Sequence, residues 1–589
     1  VMMNQGLHWA LQQVMRKAVI DMTELQQQSA VDSIVHEIDR DLLLEYNRQI
    51  AKEIRLSGSE EELRAFHYIK EQLEDFGLTT ELTFNKAYIS IPVRAELKVG
   101  GISFAAITHS MSAQAKQLST SLRFIELIDS DQTDCANQVT GHAVIVQGLA
   151  NGPTIYRLQQ LGAVAVIFIN SGAYTHEMIV SSVWGNPTPE DDGYPSIPVL
   201  SVNHSDGEQI KSLIAAEERE NVEITLTAEV RTDWVNIPTL IAEIKGTEEP
   251  ESFVLFSGHV DSWHYGAMDN GSANAVMVET ARVLSLHRDT LRRSVRFAFW
   301  SGHSHGRYAG SALYSDLHWE DLHENGVLHI NIDSVGAKGA SQLGAANTMA
   351  ETRTLCADAI RIVTDETFHG SPFGRSGDQS FWGAGLPSAF MGLSYQPEGW
   401  FGWWWHTTED TLDKIDGDYL ARDCKVYVAA VHNAASAPII PIDQRQAIRT
   451  LSERIGYYRE LIGDKFDLSR LTSRVQQLQN ATDHFYDRIG STSLSDASVT
   501  EANRTILSLS RWLVPINYVR GSRYDHDAAG SHTLVPALSD IELLAVAEVG
   551  SEVFFRLQTS LIRQVNRIGY EIKQAERLVV ETEKNLDWN

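Results

Sequence analysis

FVLFSGHVDSWHYGAMDNGSANAVMVETARVLSLH, residues 253–287, opens on an apolar run, breaks at Gly258 into His259-Val260-Asp261, and resumes with apolar positions at helical spacing. A short apolar run followed by a periodic stretch predicts a buried strand feeding a helix that packs back on its sheet. Two further runs repeat the strand signal, SVRFAFWSG at 294–302 and VLHINIDSVG at 327–336. Strands alternating with helix-like stretches from about Trp234 onward imply α/β layering around a mixed sheet with a parallel core.

Outward from this core the texture changes twice. Upstream, residues 31–78 carry apolar positions at helical spacing interrupted by Ser57-Gly58-Ser59, so two helices are expected before the first strand, with Ser59 a candidate cap. From about 85 to 230 short β-rich runs (AYISIPVRAELKVGG, SLRFIELID, GHAVIVQG, AVAVIFIN, SIPVLSV) separated by Gly, Asn and Pro predict an inserted, mainly β domain. Beyond about 440 the chain reads as helical, and 539–585 is long enough for one extended or briefly interrupted helix. The expected division is 25–90 with 231–438, then 91–230 as an insert, then 439–589.

With 589 residues the chain exceeds a single core, and a composition of 43% hydrophobic and 21% charged residues supports a multidomain globular protein. Its 49 Lys and Arg against 77 Asp and Glu give a formal charge of -28, which repels phosphate backbones and anionic bilayers, so neither nucleic acid nor membrane is an expected partner. Three scattered cysteines (Cys135, Cys356, Cys424) offer no disulfide framework or thiolate metal site and fit a cytoplasmic location. No signal-peptide-like or membrane-length apolar run stands at the start of the sequence or after it.

Chemistry concentrates where strands end. His259 and Asp261 follow FVLFSG, Asp269 precedes the next helix, Asp333 ends VLHINID, and His406 follows an aromatic run before TTEDTLDKI. Imidazoles and carboxylates at the carboxyl ends of strands are the ligand types a hard or borderline divalent metal takes, and Asp261 is placed to fix the tautomer of His259. Any one of these residues alone would read as structural; the set reads as a metal site.

Together these motifs resemble the zinc exopeptidase family of glutamate carboxypeptidase, the transferrin receptor and bacterial aminopeptidases, over nearly the whole chain. The resemblance implies a zinc-exopeptidase-type mixed sheet flanked by helices, an inserted protease-associated domain and a C-terminal helical domain that forms homodimers. It also implies Zn2+, one or two ions or another divalent transition metal, with Asp269 in MDNGSA bridging, His259 and Asp333 on one ion and His406 on the other. Hydrolysis of an amide or peptide bond in a small substrate follows, of the exopeptidase, aminopeptidase or N-acyl amino acid amidohydrolase type. A silent binding protein on the same scaffold and hydrolysis of a non-peptide amide are the alternatives.

One motif departs. After RFAFW the family carries two consecutive Glu residues, a general base and a zinc ligand, whereas this chain reads Ser301-Gly302-His303-Ser304-His305-Gly306. Counting from Trp300 sets His303 and Ser304 in those places; counting back from Gly310-Ser311 sets Ser304 and His305 there. Alternate positions of an extended segment face one side, so His305 is expected as the replacement ligand and His303 as base or extra ligand, with Asp261 also in the catalytic set. For substrate contacts, FGRSGDQSF offers Arg375 for a carboxylate and Asp378 for an amine, and the aromatic run from Tyr395 to Trp405 offers Tyr395 and Trp405 as pocket walls. Tyr524, His526 and His532 lie in a segment resembling the family's closing loop. The arginine set that selects glutamate is not recognisable, and glutamate specificity is not implied.

Overall fold

A computed structural model describes residues 31–126, 136–216, 222–491, 494–530 and 533–586. Cys135, His532 and the start of the sequence lie outside the described residues. The two expected leading helices are present as Arg40–Ile50 and Glu60–Asp75, and the Ser59 side chain accepts from the Glu62 amide at the start of the second.

Twelve strands follow: β1 (Thr79–Val99), β2 (Ile102–Phe104), β3 (Ile107–Thr108), β4 (Ala115–Phe124), β5 (Ala143–Gln147), β6 (Ala165–Ile169), β7 (Val199–Val202), β8 (Val222–Ile244), β9 (Glu249–His259), β10 (Arg293–Trp300), β11 (Gly326–Asn331) and β12 (Ser388–Ala389). Their order is β12-β11-β9-β10-β8-β4-β5-β6-β7-β3, with β1 antiparallel to β8 from Thr79↔Glu243 to Val99↔Ile224. β10, β9, β11 and β12 run parallel while β8 is antiparallel to β10, which is the mixed sheet with a parallel core expected from the sequence. The register slips between Pro92 and Arg94, where proline cannot donate to the ladder.

The long β1–β8 ribbon is shared. Its β8 end at 239–244 lies on β10, and its other end, at 222–228, lies on β4, the first of four parallel strands β4–β7. Helices Gly152–Gln160 and His204–Ala216 accompany those strands, so the segment expected to be mainly β carries helices as well.

Beyond Ser436 the chain is helical: Gln444–Ile462, Ser469–Ser491, Asp496–Tyr518, Asp540–Val546 and the 34-residue Glu552–Asn585. One buried apolar cluster runs from Phe256 and Phe297 of the sheet through Tyr427 to Leu509, Leu561 and Ile568 of these helices. Arg511 strengthens the junction: its buried guanidinium donates to the carbonyls of His323, Gly326 and, at 2.9 Å, Gly385. Desolvation pushes its pKa down to about 9. Among the described residues no helix is long and apolar enough to cross a membrane.

Candidate metal centre

Parallel strands open their carboxyl ends on one edge, and the register decides what meets there. His259, the last residue of β9, is level with Trp300 of β10, while Ser257 pairs with Asn331, which sets Asp333 beside His259 just past the end of β11. His259 Nε2 lies 3.7 Å from Asp333 Oδ1 and 3.2 Å from Asp269 Oδ1. The other oxygen of Asp269 is 3.0 Å from His406 Nε2. Asp269 thus stands between two imidazoles, one on each carboxylate oxygen.

His259, Asp269 and His406 are each held from the side turned away from the cluster. His259 Nδ1 donates to the Asp261 carbonyl at 2.9 Å, which turns Nε2 toward the carboxylates as the ring atom open to a metal. Met268 and Asp269 amides donate to the Asp410 carboxylate at 2.8 and 3.0 Å, fixing the turn that presents Asp269. Arg55, fully buried, donates to the carbonyls of Ile50, Glu53, Val260, Tyr265 and Gly266 and so ties the His259 loop to the Asp269 loop. Desolvation pulls Arg55 to about 10 and pushes the Asp410 carboxyl up to about 7. His406 has φ 58° and is clamped from the β1–β8 insert: its Nδ1 donates to the Glu177 carbonyl at 2.7 Å and its carbonyl accepts the Glu177 amide at 2.9 Å.

The electrostatics suit a cation. Burial disfavours a charged His259, yet Asp261, Asp269 and Asp333 together outweigh burial and hold its pKa well above the usual imidazole range. Burial likewise opposes ionisation of Asp269, but His259 and His406 keep its carboxyl well below the usual carboxylate range. Imidazoles and carboxylates converging at 3.0–3.7 Å, with His259 Nε2 buried and lacking a good hydrogen bond, form the donor set a divalent transition metal takes.

The remaining sequence expectations fare differently. Residues 303–306 form one helical turn, and residues two apart on a helix diverge by about 200°, so His303 and His305 do not share a face. His303 reaches the cluster, its ligand-capable atom within 4.8 Å of those of His259 and Asp333. His305 places Nδ1 2.8 Å from Ser57 Oγ and its ring against Trp263, and burial drops its pKa to about 4. The expected ligand, His305, is absent from the group of metal-capable atoms that His259, His303 and Asp333 form among the described residues. Asp261 does not face the cleft as a catalytic group: its carboxylate accepts from Ser57 Oγ and from the amides of His303 and Ser304, and it positions that turn. Asp378 is not open to a substrate amine, because His303 Nδ1 and Ser311 Oγ lie on its two oxygens at 2.8 and 2.7 Å. Arg375 is not a free fork either; its guanidinium sits over Trp184 and Trp382 and donates to the Gln379 carbonyl.

Tyr395 donates to Asn347 at 2.7 Å and packs on Phe401, while Trp405 stacks on the His406 ring with centroids 3.5 Å apart. Trp404 is core, but Trp400 and Trp403 are exposed, Trp403 stacking on Tyr174 at 5.3 Å. Arg55, Ser57, Glu177 and Asp410 were not read as site residues in the sequence. Glu177 acts through its backbone and leaves no side-chain signal; Asp410 stands in the HTTED text and was legible there in principle.

Residues 239–431 match the peptidase family M28 model, and this span contains the sheet edge with His259, Asp269, Asp333 and His406. The chain carries a peptidase family M28 domain. Curated relatives of the M28 domain include the probable glutamate carboxypeptidase VP8 of Zea mays, 24% identical over 286 residues covering 44% of this chain and 39% of that protein. Carboxypeptidase Q of Bos taurus is 25% identical over 282 residues, covering 45% and 58%. This chain thus spans less than two thirds of either relative. Among solved structures, the zinc aminopeptidase BSAP of Bacillus subtilis superposes with TM-score 0.53 at 23% identity, covering 68% of this chain and 96% of that one. The peptidase M28 precursor of Shewanella amazonensis gives 0.56 at 18%, covering 70% and 97%. The M28 fold, and the resemblance to the glutamate carboxypeptidase group, are borne out.

Proposed function

We propose that this protein is a zinc-dependent exopeptidase-type hydrolase that cleaves an amide or peptide bond at the end of a small substrate. The observation that carries the reading is the carboxylate of Asp269 set between His259 and His406, with Asp333 beside His259. In this reading these four residues hold the metal, Asp261 and Asp410 orient them, and Glu177 of the 91–230 insert fixes His406. A bound zinc ion supplies Lewis-acid polarisation of a carbonyl and acidifies a water. The aromatic wall of Trp400, Trp403 and Tyr174 supports a substrate with an apolar end group.

Purified protein is expected to contain zinc and to turn over members of a dipeptide, aminoacyl-anilide and N-acyl amino acid panel; chelation abolishes turnover and zinc restores it. Metal binding without turnover on any panel member would instead support the silent binding protein, the reading favoured by the missing Glu residues at 303–305.

A second copy of the chain is the proposed partner. Leu543, Val546, Val553, Phe555 and Ile562 on the last two helices, and Val549 in the turn between them, are all exposed, an apolar surface of the kind that pairs subunits. Light scattering after gel filtration is expected to give twice the chain mass of 65.7 kDa, and a monomer at micromolar concentration would refute it. The cytoplasm is the proposed compartment, supported by Cys356 and Cys424, both free thiols in the core.

A further inference from the structure

The turn after β10 decides between the two roles open to His303, base or extra ligand. Gly302 lies in the left-handed region at φ 77°, where a Cβ is disfavoured, and turns the chain from the strand into His303–Gly306. Arg307 and Tyr308, neither of them glycine, follow at φ 47° and 67°. Such a conformation persists only where the surroundings impose it, and here Asp261 holds the amides of His303 and Ser304 while Arg307 donates to the carbonyls of Ile179 and Ser181.

The product of this turn is the placement of one imidazole. The His303 ring lies on the His259 ring with centroids 3.7 Å apart and planes 12° from parallel. Asp378 lies 2.8 Å from His303 Nδ1, and its other oxygen accepts from Ser311 Oγ, which meets Ser380 Oγ at 2.9 Å; Trp184 Nε1 donates to Ser380. Asp378, Ser311, Ser380 and Trp184 are all buried. A buried, ionised carboxylate on Nδ1 puts the proton there, so Nε2 keeps the free lone pair, the arrangement by which outer carboxylates orient metal-bound histidines.

We propose that His303 is a ligand of the metal centre, standing, as counted from Trp300, where the family carries the first Glu of its pair, and that Asp378 is the residue that positions it. The proposal rests on the hydrolytic metal centre described above and adds a third imidazole to it. The donor set becomes His259, His303 and His406 with Asp269 and Asp333. Replacing a carboxylate by an imidazole removes one negative charge and shifts preference toward zinc, cobalt and nickel, away from magnesium, manganese and calcium.

X-ray absorption on wild-type protein loaded until elemental analysis gives two zinc ions per chain is expected to count three bound imidazoles, and a count of two at that loading overturns the proposal without any variant. His303→Ala is expected to lower zinc affinity in a competition titration and remove one imidazole from the count, whereas His305→Ala keeps three. Asp378→Asn is expected to weaken zinc by about 10- to 100-fold with the count intact, the effect usual for an outer-shell partner. Undiminished zinc affinity in His303→Ala, or loss of an imidazole only in His305→Ala, overturns the assignment. Failure of the wild type to bind any divalent transition metal removes the hydrolase reading itself, a result distinct from a count of two.

Discussion

Asp269→Asn is expected to strip the protein of metal and to lower kcat/KM by about 10³-fold or more. The carboxylate presents one oxygen to His259 at 3.2 Å and the other to His406 at 3.0 Å. An amide keeps the shape but loses the charge, and turns an NH2 group, which cannot bind a cation, toward one of the two imidazoles. A Lewis-acid metal supplies several kcal/mol of transition-state stabilisation, and each 1.4 kcal/mol is tenfold, which sets the expected loss. Elemental analysis after dialysis, beside kinetics on whichever panel substrate the wild type cleaves, checks both halves. A variant that keeps its metal and its rate would show that Asp269 is not the bridge. Its circular dichroism and melting temperature should stay close to those of metal-free wild type, because Asp410 holds the turn through the backbone amides of Met268 and Asp269 rather than through the side chain.

Glu351→Gln is expected to stabilise the protein at pH 8 by about 3 kcal/mol and to leave it nearly unchanged below pH 4.5. Glu351 sits in the turn Ala350–Thr352, where the helical region meets the sheet; it is buried, its carbonyl accepts the Asp443 amide, and among the described residues no other residue donates to its carboxylate. Burial pushes its carboxyl from 4.5 to about 7. Below 4.5 both the folded and unfolded chains carry the proton. Between 4.5 and 7 the unfolded chain has released it and the folded chain has not, so stability falls as pH rises, by about 1.4 kcal/mol per unit. Gln removes that titration. His109 and His329, buried and pushed down to about 3, act in the opposite sense: their stabilisation is present above 6.5 and is lost as the pH drops through their folded values. They are common to both proteins, so the difference between the two denaturation profiles over pH 4.5–8 isolates Glu351. Parallel profiles for wild type and variant would mean that its carboxyl titrates normally in the folded state.

Much of the centre was legible. His259, Asp269, Asp333 and His406 stand where an apolar run ends or a helix begins, and the period of those runs is a local property that survives in the text. The two leading helices, the parallel core and the long final helix were legible for the same reason: spacing of 3.6 or 2 residues, with Ser59 marking a start. The aromatic run before His406 was legible as composition but not as placement, since it divides into core (Trp404), a ring stacked on His406 (Trp405) and an exposed side chain (Trp403).

What the sequence by itself determined is the family of the domain, the imidazoles and carboxylates that gather at the sheet edge and the strands that deliver them. Which histidine of the pair at 303 and 305 joins the centre was decided by tertiary structure. Taking the segment as extended would align the two rings, whereas one helical turn drives them about 200° apart, and that turn is imposed by Asp261 and by Arg307 gripping a loop of the insert. Asp378, 75 residues away, was read as a substrate contact and turned out to be the partner of His303. Glu177 enters from the insert through backbone atoms that any residue possesses. Local period fixes where a side chain can point; only the packed chain fixes what it meets.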